Sequence, residues 1–306
     1  MRRHVLGATS VELSAVGLGG VWLRADDATS AGGVLAASFE AGVNWVDTAE
    51  GYGDGENETA LGPALASLPE MRVASKVSPW RTTLLRADVH RACRETLKRL
   101  QRGVLDVYFV HAPWDDVPLE ETWTAMAELA EQGLVRAIGL SNFAIADVRR
   151  AHAVRPVDVV QDGLSLIDHL EGRRHFAACA ELGISGVAYE PVANGLLSGA
   201  ITAQTDVSGQ QEWGALFDRI FAPGRLERSL AVAEQLRTLA DDWGLTMSQL
   251  AIAWCLHQPG VTAALAGTKN VDHARSNAHA GEVTLRPGQL QSLDDLIPLG
   301  PAFARK

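Results

Sequence analysis

Short apolar runs alternate with longer segments of helical period along nearly the whole chain. The runs at 16–18, 43–47, 72–77, 105–111, 135–141, 157–161, 184–189 and 261–267 are rich in Val, Ile and Ala, and Gly, Pro or a charged residue bounds each. Strands buried on both faces of a parallel sheet have this character. Between the runs, apolar residues recur every three or four positions. Val89, Cys93, Leu97 and Leu100 make one stripe, and Trp123, Met126, Ala127 and Ala130 another. Leu226, Leu230, Ala233, Leu236, Leu239 and Ala240 make a third. These stripes predict helices with one face on a core. Thr246-Met247-Ser248-Gln249 has the spacing of a capping box ahead of Leu250-Ala251-Ile252-Ala253-Trp254.

Roughly eight strand–helix units with no low-complexity linker predict an α/β fold, a single (β/α)8 TIM barrel domain over 1–306. Residues 1–14 read as a short N-terminal β-hairpin placed to plug the bottom of the barrel, and 190–225 as a long loop over the active site. An extra helix is expected at the C-terminus. The competing doubly wound sheet would carry a glycine fingerprint after its first strand. Gly17-Leu18-Gly19-Gly20-Val21-Trp22 has Trp where the third glycine belongs, so the fingerprint fails.

Composition narrows the function classes. A hydrophobic share of 47% with 21% charged residues is that of a folded chain. The net charge of −10 argues against a general nucleic-acid or anionic-membrane partner, while leaving room for a local phosphate pocket. There is no apolar run of the ~18 residues that a membrane span requires. The basic start meets Thr9, Ser10 and Glu12 instead of the apolar core of a secretory signal. Cys93, Cys179 and Cys255 are too scattered for a disulfide framework or a metal cluster, and read as small buried side chains. The expectation is a reduced, cytoplasmic protein without a metal, its oligomeric state left open.

The chemistry of a barrel lies at the C-terminal ends of its strands. Asp47 ends the second run, Tyr52 follows in the next loop, Lys76 lies inside the third and His111 closes the fourth. Taken singly, Asp47 reads as a cap, Tyr52 as a loop aromatic and His111 as a core histidine. Lys76 resists such a reading, because a cation within a buried strand is costly unless it is paired. Asp47, one strand over, is its nearest partner in sequence logic. A tyrosine beside that pair would have its phenolate form favoured and its pKa lowered towards the working range of an acid–base catalyst. Together the four residues suit proton transfer to a carbonyl or alcohol oxygen.

With these residues in place, the sequence resembles the aldo-keto reductase superfamily over nearly its whole length. The similar stretches are Asp47-Thr48-Ala49-Glu50-Gly51-Tyr52-Gly53 through Glu58 and Leu61-Gly62, Ala74-Ser75-Lys76-Val77, Asp106 to His111, Gly139-Leu140-Ser141-Asn142-Phe143, Tyr189 to Gly199, and Gly267-Thr268-Lys269-Asn270 through Asn277. The resemblance implies NADPH-dependent reduction of an aldehyde or ketone, a small-molecule carbonyl substrate, to an alcohol by hydride transfer. Tyr52 would be the proton donor, Lys76 held by Asp47 would tune it, and His111 would orient the carbonyl.

The resemblance also implies the cofactor contacts. Ser141, Asn142 and Gln161 would hold the nicotinamide carboxamide, with Tyr189 stacked on the ring. Leu196 and Ser198 would line the pyrophosphate path. Gly267, Thr268 and Lys269 would form the nucleotide-binding end, with Thr268 and Lys269 at the adenosine 2′-phosphate, and Asn277 would meet the adenine. NADPH is expected in preference to NADH. Glu190 departs from the family's usual Ser beside the pyrophosphate, Lys269 and His273 stand where Arg is frequent, and Ser276 replaces a frequent Glu. Trp22, Trp80 and Trp114 each follow a strand on the same face and read as an aromatic mouth for substrate. The other readings are a cofactor-binding redox sensor or regulatory subunit without significant turnover, against which the intact tetrad counts, and a metal-dependent hydrolase, which the scattered His residues do not support.

Overall fold

The computed structural model describes residues 1–23, 28–207, 220–221 and 224–296. Eight parallel strands close on themselves: β3 (Val16–Gly19), β4 (Trp45–Asp47), β5 (Arg72–Val77), β6 (Leu105–Val110), β7 (Val135–Ser141), β8 (Val159–Gly163), β9 (Ser185–Tyr189) and β10 (Val261–Gly267), with β10 paired to β3. Helices α1 (Ala28–Glu40), α2 (Glu56–Ala66), α3 (Arg86–Arg99), α4 (Leu119–Glu131), α5 (Ile145–Val154) and α6 (Leu170–Ala180) alternate with the strands. Helices α7 (Leu226–Asp242) and α8 (Met247–Leu256) precede β10, and α9 (Val271–His279) follows it. This is the expected (β/α)8 barrel. Its eight strands overlap all eight apolar runs, because strands buried on both faces leave a continuous hydrophobic trace.

The antiparallel pair β1 (Arg3–Val5) and β2 (Glu12–Ser14) forms the expected hairpin. Leu6, Val11 and Leu13 pack with Trp45, Phe109, Val159 and Leu265 inside the barrel, so the hairpin closes its N-terminal end. The Trp45 indole donates to Ser14 O at 3.0 Å. Gly17 makes room for that indole, since a Cβ there would stand 2.3 Å from the ring. A second, larger core lies between barrel and helices. The capping box forms: Thr246 Oγ1 accepts from Gln249 N at 3.1 Å, and Gln249 Oε1 from Thr246 N at 3.0 Å. The extra C-terminal helix is α10 (Pro287–Leu296), anchored by buried Leu293 and by an Arg173–Asp294 ion pair at 3.1 Å.

Two strands start two residues later than their apolar runs, and both differences arise at polar closures. Val43 and Asn44 lie outside β4, where the Asn44 amide binds Ser14 N and Glu12 O and ties the hairpin to the barrel. The pairing of β8 begins two residues later than its apolar run, because Asp158 turns its carboxylate to Ile138 N at 2.9 Å. Of the long loop after β9, the first part forms the 3-10 turn Ala193–Ser198. Gln211-Glu212-Trp213-Gly214, expected to close over the pocket, lie outside the described residues. Among the described residues no helix is long and apolar enough to cross a membrane, and no group of His, Cys, Asp and Glu could hold a metal.

Candidate active site

The C-terminal strand ends bring the four candidate catalytic residues together. Lys76 is fully buried in β5, and its ammonium forms an ion pair with Asp47 at the end of β4. It also donates to Thr48 O at 2.9 Å and to the Tyr52 hydroxyl at 3.2 Å. The second Asp47 oxygen accepts from Gln161 Nε2 on β8 at 2.9 Å. Tyr52 opens a 3-10 turn, Tyr52–Gly55, whose left-handed residues Gly53 and Asp54 bend the chain into α2. Burial disfavours the Lys76 ammonium, but Asp47 and Tyr52 outweigh it and hold its pKa above the ordinary lysine value. For Tyr52 the balance differs from the sequence expectation. Burial raises its pKa above that of a free tyrosine, and the downward pull of Lys76 does not overcome it. Asp47 and Glu190 add to the rise, so at neutral pH Tyr52 is a phenol with a proton to give.

His111 lies one residue past β6, its N–H donating to Val77 O at 2.9 Å and its carbonyl accepting from Asn142 Nδ2 at 2.9 Å. Its Nδ1 is 2.7 Å from Ser78 Oγ. The ring stands edge-on to Tyr52, with centroids 5.5 Å apart, and 4.6 Å from the Trp80 ring. Burial, reinforced by the Lys76 charge, holds His111 well below the ordinary imidazole range, so it is neutral at pH 7.

Asp47, Tyr52 and His111 line a cavity of about 1260 Å³, which Lys76 itself does not border. Trp22, Tyr52, Trp80, His111, Ser141, Asn142, Gln161, Tyr189, Ser198, Gly267, Thr268, Lys269 and Asn277 all border it, as does Asp47. Leu196 and Trp114 do not. Leu196 is fully buried in the outer core, because left-handed Asn194 and Gly195 turn the chain just before it. Trp114 lies in the loop after β6, 43% exposed. The Asn142 amide, in a left-handed backbone (φ 65°), is already engaged: besides His111 O it binds Ser141 Oγ at 3.0 Å, and its oxygen accepts from the Tyr189 hydroxyl at 2.6 Å. At the far end, Lys269 Nζ lies 5.9 Å from the Trp22 ring centroid. Glu190 borders the cavity in a left-handed conformation (φ 57°).

A family model, described as Aldo/keto reductase family, matches residues 15–298. The chain belongs to the aldo/keto reductase family. It is 31% identical to "Probable aldo-keto reductase 1" of Glycine max, over 96% of this chain and 88% of that protein. It is 30% identical to "Aldo-keto reductase YhdN" of Bacillus subtilis (strain 168), over 96% and 95%. Among solved structures, an aldo/keto reductase from Klebsiella pneumoniae in complex with NADP and acetate superposes with a TM-score of 0.77 at 28% identity, over 98% of this chain and 96% of that one.

Membership of this family makes the chain an oxidoreductase. Polar residues to which the sequence reading gave no individual role also shape the site. Asn57, on the first turn of α2, is buried and borders the cavity of this aldo/keto reductase. Its amide donates to Gly20 O at 2.7 Å and to Leu23 O, and its oxygen accepts from the Thr48 hydroxyl, so it ties the β3 loop to the end of β4. Glu58 is fully buried and accepts from Ser75 Oγ at 2.5 Å and Arg99 Nε at 2.6 Å, which braces β5 on the strand face opposite Lys76. Glu50 accepts from Ser78 N at 2.8 Å. One signal was available: Asn57 and Glu58 sit at consecutive positions of a helix that must bury part of its surface.

Proposed function

We propose that this oxidoreductase reduces an aldehyde or ketone to the alcohol with NADPH. The observation that carries the reading is the Tyr52 hydroxyl, 3.2 Å from a buried ammonium that is itself held by Asp47, on the wall of a cavity shared with neutral His111. The cavity also suits an extended anionic cofactor. Asn194 borders the cavity, and its Nδ2 is a buried donor without a partner among the described residues, the kind of group a phosphate oxygen would satisfy. Lys269 and Thr268 would meet a 2′-phosphate, and Asn277 the adenine. The NADP complex of the Klebsiella pneumoniae relative supports the same cofactor here. The hydride for the carbonyl carbon is what NADPH contributes when bound.

The chain's own residues do the rest. Tyr52 gives its proton to the oxygen as charge develops there, and Lys76 stabilises the phenolate left behind, within the low dielectric of a buried site. Asp47 and Gln161 keep the ammonium in place. His111, uncharged, orients the carbonyl oxygen by donating a hydrogen bond. Trp80 and Trp22 supply apolar walls on two sides of the cavity.

Two measurements test the reading. Titration of tryptophan fluorescence with NADPH and NADH at one salt concentration should show tighter binding of NADPH; equal dissociation constants would sink the 2′-phosphate contact. Tyr52→Phe should keep NADPH binding and lose about 10²–10⁴-fold in turnover. Full turnover in that variant would remove Tyr52 as the proton donor. Binding of NADPH by the wild type without turnover on a broad carbonyl panel would favour a redox sensor instead.

A further inference from the structure

We infer that Ser78 is the positioning residue that sets the working tautomer of His111, placing its proton on Nε2 and pointing that N–H into the cavity. The inference rests on the carbonyl-reductase reading for its consequence, but not for its geometry. Ser78 is fully buried just past the end of β5, and its Oγ lies 2.7 Å from His111 Nδ1. Among the described residues, His111 Nδ1 is the one hydrogen-bond partner of that hydroxyl. If Nδ1 carried the proton and donated to Ser78, the hydroxyl proton would be buried without an acceptor, a costly arrangement. If the hydroxyl donates to Nδ1 instead, nothing polar is orphaned, and neutral His111 carries its proton on Nε2.

The surroundings hold this arrangement rigid. Ser78 N donates to Glu50 Oε1 at 2.8 Å, which fixes the serine backbone. Gly51, next to Tyr52, packs against it so closely that a Cβ there would stand 2.7 Å from Ser78 Oγ and 2.6 Å from Trp80 Nε1. The His111 backbone is pinned from both sides by Val77 and Asn142. Nε2, by contrast, makes no hydrogen bond among the described residues and is not a buried orphan, and the ring borders the cavity. A donor on Nε2 can hydrogen-bond a carbonyl oxygen; a bare Nε2 would repel it. The same serine therefore determines whether His111 greets a ketone as a donor or as an acceptor.

The test reads the tautomer directly. In protein labelled with ¹⁵N-histidine, long-range ¹H–¹⁵N spectra of the wild type without substrate should show His111 Nδ1 bare and Nε2 protonated. Ser78→Ala should show both tautomers, with kcat for p-nitrobenzaldehyde about tenfold lower and the NADPH dissociation constant unchanged. A wild-type His111 protonated on Nδ1 would overturn the inference, and so would a Ser78→Ala protein that keeps the single Nε2–H form with unaltered kcat. If Ser78→Ala does not fold, the wild-type spectrum still decides. Failure of the reductase reading looks different: the wild type would turn over no carbonyl while its tautomer stayed as stated.

Discussion

Removing the Lys76 ammonium should destabilise the protein by an amount that depends on pH. In Lys76→Met, Asp47 stays almost fully buried and keeps, among the described residues, one side-chain donor, Gln161 Nε2 at 2.9 Å. Breaking a buried ion pair from one side costs about 3–5 kcal/mol. The carboxylate has one escape, which is to take up a proton. Starting from an ordinary Asp pKa of ~3.9, that escape costs about 4 kcal/mol at pH 7 and about 1.5 kcal/mol at pH 5. The loss is therefore capped near 4 kcal/mol at neutral pH and shrinks as the solution becomes more acidic. The entropy of unfolding is about 0.6 kcal/mol/K for a chain of this length. The melting temperature of Lys76→Met should accordingly lie roughly 6 °C below that of the wild type at pH 7 and about 2 °C below it at pH 5. The double variant Asp47→Asn/Lys76→Met, which removes both charges of the pair, should recover most of the loss. Differential scanning calorimetry of the three proteins at both pH values makes the comparison. A difference that does not change with pH, or a double variant as unstable as the single one, would refute the claim that the cost lies in a stranded carboxylate.

Acid should weaken the fold earlier than its carboxylates alone would require. Burial, then the Lys76 charge, depresses His111, and burial, then Arg173, depresses His169. Below about pH 6.5 the unfolded chain binds protons that the native state refuses, so stability is full above that pH and falls beneath it, by up to ~1.4 kcal/mol per pH unit for each histidine. Urea unfolding between pH 7.5 and 5 should show this slope, and His111→Gln should reduce it; an unchanged slope in that variant would exclude His111 as a source. The thiols should be inert. Burial pushes Cys93 and Cys179 up to about 12 and raises Cys255 as well. A thiol reagent such as DTNB at pH 8 should find none of them in the native protein and all three after unfolding; rapid labelling of the folded chain would contradict their burial.

The barrel was legible because its strands are buried on both faces, which leaves uninterrupted apolar runs bounded by loops. The hairpin that closes the bottom was legible as two short segments, His4-Val5-Leu6-Gly7 and Val11-Glu12-Leu13, around the turn residues Ala8-Thr9-Ser10. The tetrad could be read because a lysine in an apolar strand demands a partner, and strand order limits where that partner can be. What stayed hidden depends on where side chains point. Trp22, Trp80 and Trp114 all follow strands, but loop conformation alone decides that two of them border the cavity and the third does not. Leu196 sits in a stretch that fits the family, and two left-handed residues before it turn it into the core.

The Tyr52 balance shows why a pKa direction is harder to read than a contact. Sequence order brings Lys76 to Tyr52 and identifies one force, the pull of a cation on a phenol. The opposing force is desolvation, and it grows with every apolar neighbour the fold places around the ring. In the folded site desolvation is the larger, and the carboxylates of Asp47 and Glu190 act in the same direction. Tyr52 therefore rests as a neutral acid. For the proton donor proposed above, this is the useful resting state: the ammonium need not ionise Tyr52 beforehand, only stabilise the phenolate once the proton has left. Asp47 contributes by holding that ammonium within reach, and at the same time opposes premature ionisation. The three groups thus form a device whose parts cannot be scored one at a time. Replacing Asp47 by Asn would remove one brake on Tyr52 ionisation and also one anchor of Lys76, so its effect on turnover is the net of two opposing changes and should be smaller than that of removing Tyr52 itself.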